Sequence, residues 1–431
     1  MKFFSLTTPT HRVSFAQAIR AGLAPDRGLY FPEHIPALPR DVWLGASSKT
    51  AGEIASHLMA PFVGDAIPHI ELEELMCDAL NFPFEMVHMS DWFPGCSVLE
   101  LFHGPTAAFK DVGARVMSRL LGRLTDEKLT VLVATSGDTG SAVAQGFLNV
   151  PDIDVVILYP SGRISEIQEL QLTTVGNNVV ALEVEGSFDD CQSMVKSAFL
   201  DVQIQTQRPL TSANSINLAR WMPQAVYYAM ATRLMGQPLN FVVPSGNFGN
   251  LAAGILAHRM GMPAGHFVAA TNANDVIPAY LNSGEFHPQP SQETLSNAMD
   301  VGDPSNRPRM EALLGGVAGM RRALYGCSIE DEQTMETMQK VHQQCGELVC
   351  PHTAVGLEAA RIWQGQNLHS GYPTVVLGTA HPAKFGGVVQ RATGVDPQLP
   401  KSLQAAASGQ KESTVIDPTI EALKTYLLSG A

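Results

Sequence analysis

Apolar and polar positions along the chain change their spacing twice. Up to about residue 95, helical periodicity is broken by Pro-rich and Gly-rich stretches such as PDRGLYFPEHIPALP. That pattern predicts an α-rich, irregular N-terminal domain. From about residue 130, short β-branched runs alternate with amphipathic ones: TVLVAT precedes a helix over Thr139 to Leu148, VVILYP one over Ser165 to Val175, and VVALEVEG one over Phe188 to Leu200. A second series contains LNFVVP, a helix from about Leu251, HFVAAT, and TVVLGTA at 374 to 380. Two such series predict an α/β fold of two subdomains on parallel-rich sheets, facing a cleft with ligands at the carboxyl ends of the strands. The polar stretch from about 284 to 310 reads as a long ordered excursion or lid. The divisions expected are an N-terminal domain over 1–95, a first α/β subdomain over 96–240, a second over 241–395, and a tail with one last helix over 396–431.

Composition narrows the classes of function. With 431 residues, 45% of them hydrophobic, the chain can bury more than one core. A formal charge of −13 with scattered basic residues argues against a nucleic-acid partner. No apolar run is long enough to span a bilayer, and the first residues lack a secretory pattern. The six cysteines are far apart and form no CxxC pair, so reduced thiols in a cytoplasmic protein are expected, with no metal site and no obligate protein partner evident.

Four segments at strand ends carry the candidate chemistry: HGPTAAFKD, TSGDTGSA, PSGNFGN and GTAHPAKF. In PSGNFGN, Gly246 and Gly249 allow a tight turn into a helix whose free N–H groups attract an anion; an ordinary capping turn is the bland alternative. No Lys-Ser/Thr pair follows the glycines and GxGxxG is absent, which disfavours ATP and NAD. TSGDTGSA repeats the design with Ser136, Gly137, Asp138, Thr139 and Gly140, and taken alone it is equally well a helix cap. Two anion-binding turns together invite a ligand with two anionic groups. Lys110 follows Phe109, and a nucleophilic lysine needs burial or nearby positive charge to lose its proton; Lys384 in HPAKF is the rival. In SANSINLARW, the spacing of Asn214, Asn217 and Arg220 by three predicts one helix face suited to a phosphate or carboxylate.

At these residues the sequence resembles the threonine synthases of the bacterial and fungal type, within the fold type II (tryptophan synthase β-like) pyridoxal-phosphate enzymes. Glu100, Thr106, Ala108, Phe109, Lys110, Asp111, Val112, Gly113 and Ala114 meet the attachment signature of the serine/threonine dehydratase group. The resemblance extends to GLYFP, LFHGPT, TSGDTG, SANSIN, PSGNFG, TLSNAMDVG and GTAHPAKF, and so to nearly all of the chain before about residue 396.

The resemblance implies pyridoxal 5'-phosphate bonded to Lys110, and conversion of O-phospho-L-homoserine and water to L-threonine and phosphate by γ-elimination and β-addition. It implies a cofactor-phosphate cradle of Gly246, Asn247, Phe248, Gly249 and Asn250, with Thr379 facing the pyridine nitrogen. Asp138 stands beside the cofactor where many relatives of the wider fold type have Asn, whose amide can donate to the phenolate oxygen; a carboxylate does so only when protonated. The substrate carboxylate is expected on Ser136, Gly137, Thr139 and Gly140, and the substrate phosphate on Asn214 and Arg220. Two rival readings are a threonine synthase-like phospho-lyase that never adds water, and a protein that keeps the fold without turnover; the intact Lys110, glycine turns and Thr379 speak against the second.

Overall fold

The computed structural model describes residues 1–45, 48–89, 91–366 and 371–429. The N-terminal region is largely helical, as its pattern predicts, with helices Ala51–Val63 and His69–Ala79 as its largest elements. It also holds a small antiparallel sheet of β1 (Lys2–Ser5), β2 (Arg12–Ser14) and β3 (Tyr30–Pro32), in the order β2-β1-β3. These strands have three or four residues each, too few to show a period of two.

The predicted parallel-rich sheets are both present. One contains β4 (Glu85–His88), β5 (Cys96–Glu100), β10 (Leu239–Pro244), β11 (Ala264–Thr271), β12 (Leu324–Ser328) and β13 (Thr374–Gly378), in the order β12-β11-β10-β13-β5-β4. Only β4 among them runs antiparallel to its neighbour. The other contains β6 (Leu129–Ala134), β7 (Ile153–Pro160), β8 (Val179–Val184), β9 (Leu210–Thr211) and β14 (Thr414–Ile416), all parallel, in the order β14-β8-β7-β6-β9. Every side chain of β6, β10 and β13 is buried. Helices cover both faces of such strands, and this is why they read as continuous apolar runs rather than alternating ones.

The chain crosses between the sheets more often than the two sequence series suggest. β5 precedes the first series yet pairs with β13, with Val376 opposite Val98. The tail returns in the opposite sense, because β14 extends the sheet of β6 to β9. Behind β14, helix Ile420–Leu428 buries Leu423 and Leu427 against the core beside Leu182 and Val184. Between β11 and helix Arg307–Leu314, the excursion expected near 284–310 is an irregular, hydrogen-bonded segment with one 3₁₀ turn at Asn297–Met299.

Candidate active site

Lys110 opens helix Lys110–Leu124, and the loop before it is sewn to the end of β13. Phe109 N–H donates to the Thr379 carbonyl at 2.8 Å and His381 N–H to the Ala107 carbonyl at 3.0 Å. Thr106 closes the same loop by donating its hydroxyl and its amide to the Asp111 carboxylate at 2.6 and 2.9 Å. Burial pulls the Lys110 ammonium from its ordinary 10.5 down to about 8; Asp138 opposes this, and Arg220 and Lys384 add to it. About a tenth of such an amine is neutral at pH 7.

Lys110 lines a cavity of about 100 Å³ at the carboxyl ends of β10 and β13. Of the residues singled out from the sequence, Asp138, Thr139, Asn214, Arg220, Gly246, Asn247, Phe248, Gly249, Asn250 and Thr379 share its wall. Ser136, Gly137 and Gly140 do not. The amides of Gly137 and Gly140 both donate to Thr135 Oγ1, at 2.9 and 2.8 Å, so this part of the supposed anion cradle is already closed by the chain itself.

The rival lysine is held elsewhere. Lys384 is fully buried, with Nζ 2.8 Å from Asp138 Oδ1 and donating to the Thr106 carbonyl at 2.8 Å. Gln168 Nε2 donates to the same Asp138 oxygen at 2.8 Å. Helix capping sets up that contact: Gln168 Oε1 accepts from the Ser165 amide at 3.2 Å in a capping box, which fixes the side chain across Asp138. Burial by itself would raise the Asp138 pKa, but the charges of Lys384 and Lys110 and the two hydrogen bonds outweigh it and hold the carboxyl far below the usual carboxylate range. Asp138 is therefore an acceptor, and the protonated form needed for donation is strongly disfavoured.

In the PSGNFGN turn the left-handed residue is Phe248, at φ 59°, and neither glycine. The glycines are required for space instead. A Cβ on Gly246 would come within 2.7 Å of Met299 Cα in the excursion, and one on Gly249 within 3.0 Å of Ser215 Cβ. Asn247 holds the following loop, its Oδ1 accepting from Ser305 N–H at 3.2 Å and its carbonyl from Asn306 Nδ2 at 3.0 Å.

SANSINLARW is not the single helix its spacing predicts. Residues 212–217 form a loop, and the helix is only Leu218–Trp221. Asn217 caps it, accepting from Ala219 N–H at 3.0 Å while donating to the Ile19 carbonyl at 2.8 Å, which turns it away from any ligand. Asn and Ser compete for backbone groups in this way, and that is the property that overrides helical spacing here. Asn214 and Arg220 still reach the cavity.

Five atoms on this wall are buried without a protein partner among the described residues: Thr379 Oγ1, Asn250 Nδ2, Arg220 Nε, Asn214 Oδ1 and His352 Nδ1. Unsatisfied buried polar atoms are costly, and their gathering round one cavity is what a polar ligand relieves. A lysine with a depressed pKa, a helix N-terminus and an unpartnered hydroxyl fit pyridoxal phosphate. The sequence reading missed Ser215, Gln224, Met299 and His352, which also line the cavity. No anion-turn or lysine signature marks them; only the position of PHTAVG at a helix start, in the case of His352, was there to be read.

Comparisons with known proteins identify the family. The family model for pyridoxal-phosphate-dependent enzymes matches residues 97–380, that for the threonine synthase N terminus 2–80, and that for the threonine synthase C-terminal region 353–427. The chain is 41% identical over 415 residues to threonine synthase of Escherichia coli, with 94% of each chain covered. It superposes on the crystal structure of threonine synthase from Escherichia coli with a TM-score of 0.90 at 39% identity, all of both chains being covered. On the pyridoxal-phosphate-bound threonine synthase from Brucella melitensis the TM-score is 0.91 at 35% identity, covering 99% of this chain and 98% of that one. A cavity with this lysine and these unpartnered groups, in a chain matched from its first strand to its last helix, leads to one assignment: the chain belongs to the threonine synthase family of pyridoxal-phosphate enzymes.

Proposed function

We propose that the cavity around Lys110 converts O-phospho-L-homoserine and water to L-threonine and phosphate. The observation that carries this reading is the meeting of a lysine with a pKa near 8 and five unpartnered buried polar atoms on one wall. Bound pyridoxal phosphate supplies an electron sink for charge that develops on the substrate carbons.

Gly246, Asn247, Phe248, Gly249 and Asn250 would hold the cofactor phosphate at the N-terminus of helix Gly249–Arg259, where free amides and the helix dipole favour an anion. Thr379 would meet the pyridine nitrogen, and a neutral hydroxyl there does not force that nitrogen to be protonated. Asp138 accepts a hydrogen bond beside the cofactor. With the Gly137 and Gly140 amides turned to Thr135 and Ser136 off the cavity wall, the substrate carboxylate falls to Thr139. Arg220 offers Nε and its charge to the substrate phosphate. Asn214 joins it by turning Nδ2 away from a long 3.4 Å contact with the Ala134 carbonyl.

Lys110 moves the protons: its neutral amine takes one at Cα and one at Cβ, the electron pair left at Cβ expels phosphate as the Cγ–O bond breaks, and a proton then returns at Cγ. Water then adds its hydroxyl at Cβ, and a proton returns to Cα. The six free cysteines suit a reducing compartment, and we place the enzyme in the cytoplasm.

Product analysis with phosphohomoserine tests the reaction. Threonine and phosphate in equal amounts are expected; 2-oxobutyrate and ammonia without threonine would replace this reading with a phospho-lyase. After borohydride reduction, the pyridoxyl group is expected on the peptide containing Phe109, and its recovery on Lys384 would overturn the lysine assignment.

A further inference from the structure

We propose that His352 is a further substrate-binding residue of this cavity: its imidazole, fixed as the Nδ1–H tautomer, donates a hydrogen bond to an anionic oxygen of the substrate. The inference rests on the proposed reading of the cavity.

His352 is the second residue of helix Pro351–Gly365, which packs across β10, β11 and β13, and it is 3% exposed. Its Nε2 accepts the amide N–H of Ala298 at 3.2 Å. A backbone amide can only donate, so Nε2 carries a lone pair and the ring proton of the neutral imidazole sits on Nδ1. Nδ1 is buried and has no partner among the described residues. The ring rests beside Phe385, with centroids 4.7 Å apart, and this limits its rotation.

Burial and the charges of Lys110 and Lys384, against the opposing pull of Asp138, lower the His352 pKa to about 4, so the ring is neutral in the working range. A fixed, neutral N–H donor then stands on the wall that already bears the unpartnered donors Arg220 Nε and Asn250 Nδ2. An excess of donors over acceptors selects an oxyanion, either the phosphate or the carboxylate of the substrate. Sequence spacing hides the residue because its partner, Ala298, lies in the irregular excursion.

Two substitutions separate the two ring nitrogens. The amide nitrogen of Asn reaches where Nδ1 stands and keeps that donor, whereas the amide oxygen of Gln reaches where Nε2 stands and keeps only the contact with Ala298. Calorimetry of inorganic phosphate binding to the holoenzyme, and the KM and kcat for phosphohomoserine, are measured for both variants, with cofactor affinity as a control. His352→Gln is expected to weaken the substrate about tenfold or more, mainly in KM, while His352→Asn stays within about threefold of the parent. Parallel weakening of inorganic phosphate assigns the oxygen to the phosphate group; unchanged phosphate binding assigns it to the carboxylate. The opposite order, with Asn the worse variant, makes His352 only a latch for the excursion and overturns the proposal, as do equal effects in the two variants. If a variant does not fold, nitrogen NMR of the parent imidazole decides: a proton found on Nε2 overturns the assignment. Failure of the parent enzyme to make threonine would sink the proposed function itself, a separate result.

Discussion

At the scale of single residues, the site is held by charges that the fold places where water cannot reach them. Lys110 has an ordinary pKa of 10.5 in the unfolded chain and about 8 in the fold, so the unfolded chain binds the proton more tightly between those values. Stability of the cofactor-free protein should therefore rise with pH through that window, and the penalty is present in full at pH 7. Lys110→Met is expected to stabilise the cofactor-free protein at pH 7 by on the order of 2–3 kcal/mol, read as a higher melting temperature, with the gap closing towards pH 10. Arg220→Ala should weaken phosphohomoserine by on the order of 1.5–3 kcal/mol, or ten- to a hundredfold in KM, and weaken the cofactor far less; comparable cofactor loss would assign Arg220 to the cofactor phosphate. Lys384→Met leaves the Asp138 carboxylate without its ion-pair partner at 2.8 Å and should cost on the order of 3–5 kcal/mol in denaturant melts. Adding Asp138→Asn should recover most of that loss; no recovery would show that the pair is not the cause. The placement of these residues was partly legible. The PSGNFGN turn was marked by its place at the end of β10, whereas Lys110, which opens a helix, and Thr379 were singled out through the family resemblance. Local motifs gave neither the Lys384 partner of Asp138 nor the closure of Gly137 and Gly140 by Thr135, since such pairings are set in space.

At the scale of elements, strand identity followed burial. β6, β7, β8, β10 and β13 were legible because runs such as LNFVVP are apolar on both faces, and the helix over Phe188 to Leu200 matched its amphipathic spacing and its Ser187 cap. β12 (LYGCS) and β14 (TVI) were not, the first having few β-branched residues and the second being too short to show a pattern. β5 was hidden differently: its strongest neighbour, β13, comes far later in the chain. The excursion was recognisable as ordered, but its contact with the cofactor turn was not. That contact gives an element-level test. Gly246→Ala forces a Cβ to within 2.7 Å of Met299 Cα, so the excursion must withdraw from the turn. Cofactor affinity and stability should both fall, the latter by about 1–3 kcal/mol as measured by chemical denaturation. Unchanged affinity would mean that the excursion can yield without disturbing residues 246–250.

At the scale of the whole molecule, the tail acts as a clasp on the five-stranded sheet. Lys411 Nζ lies 2.7 Å from both Glu169 and Glu183, and Tyr159 donates to the same two carboxylates. Burial would raise the Glu183 pKa, but hydrogen bonds from Lys411, Ser161 and Ser413 outweigh it and bring it from 4.5 to about 2. A carboxyl lowered in the fold contributes stability above its unfolded pKa and loses it as pH falls from about 5 towards 2. Lys411→Met should flatten that acid limb, removing on the order of 1–2 kcal/mol at pH 7 once solvent screening is allowed for; an acid limb equal to the parent's would show that other carboxylates dominate. The same interleaving of distant segments has a temporal side. β13 is an interior strand, seated between β5 and β10, and its end fixes the Lys110 loop through the Ala108 to Ala380 bridge. During synthesis, residues 96–110 leave the ribosome long before residues 374–380, so the six-stranded sheet has a missing centre until the chain is nearly complete. The loop bearing the reactive amine gains its backbone anchors to β13 only at that late stage, and a nascent chain stalled short of β13 lacks the Thr379 side of the cavity.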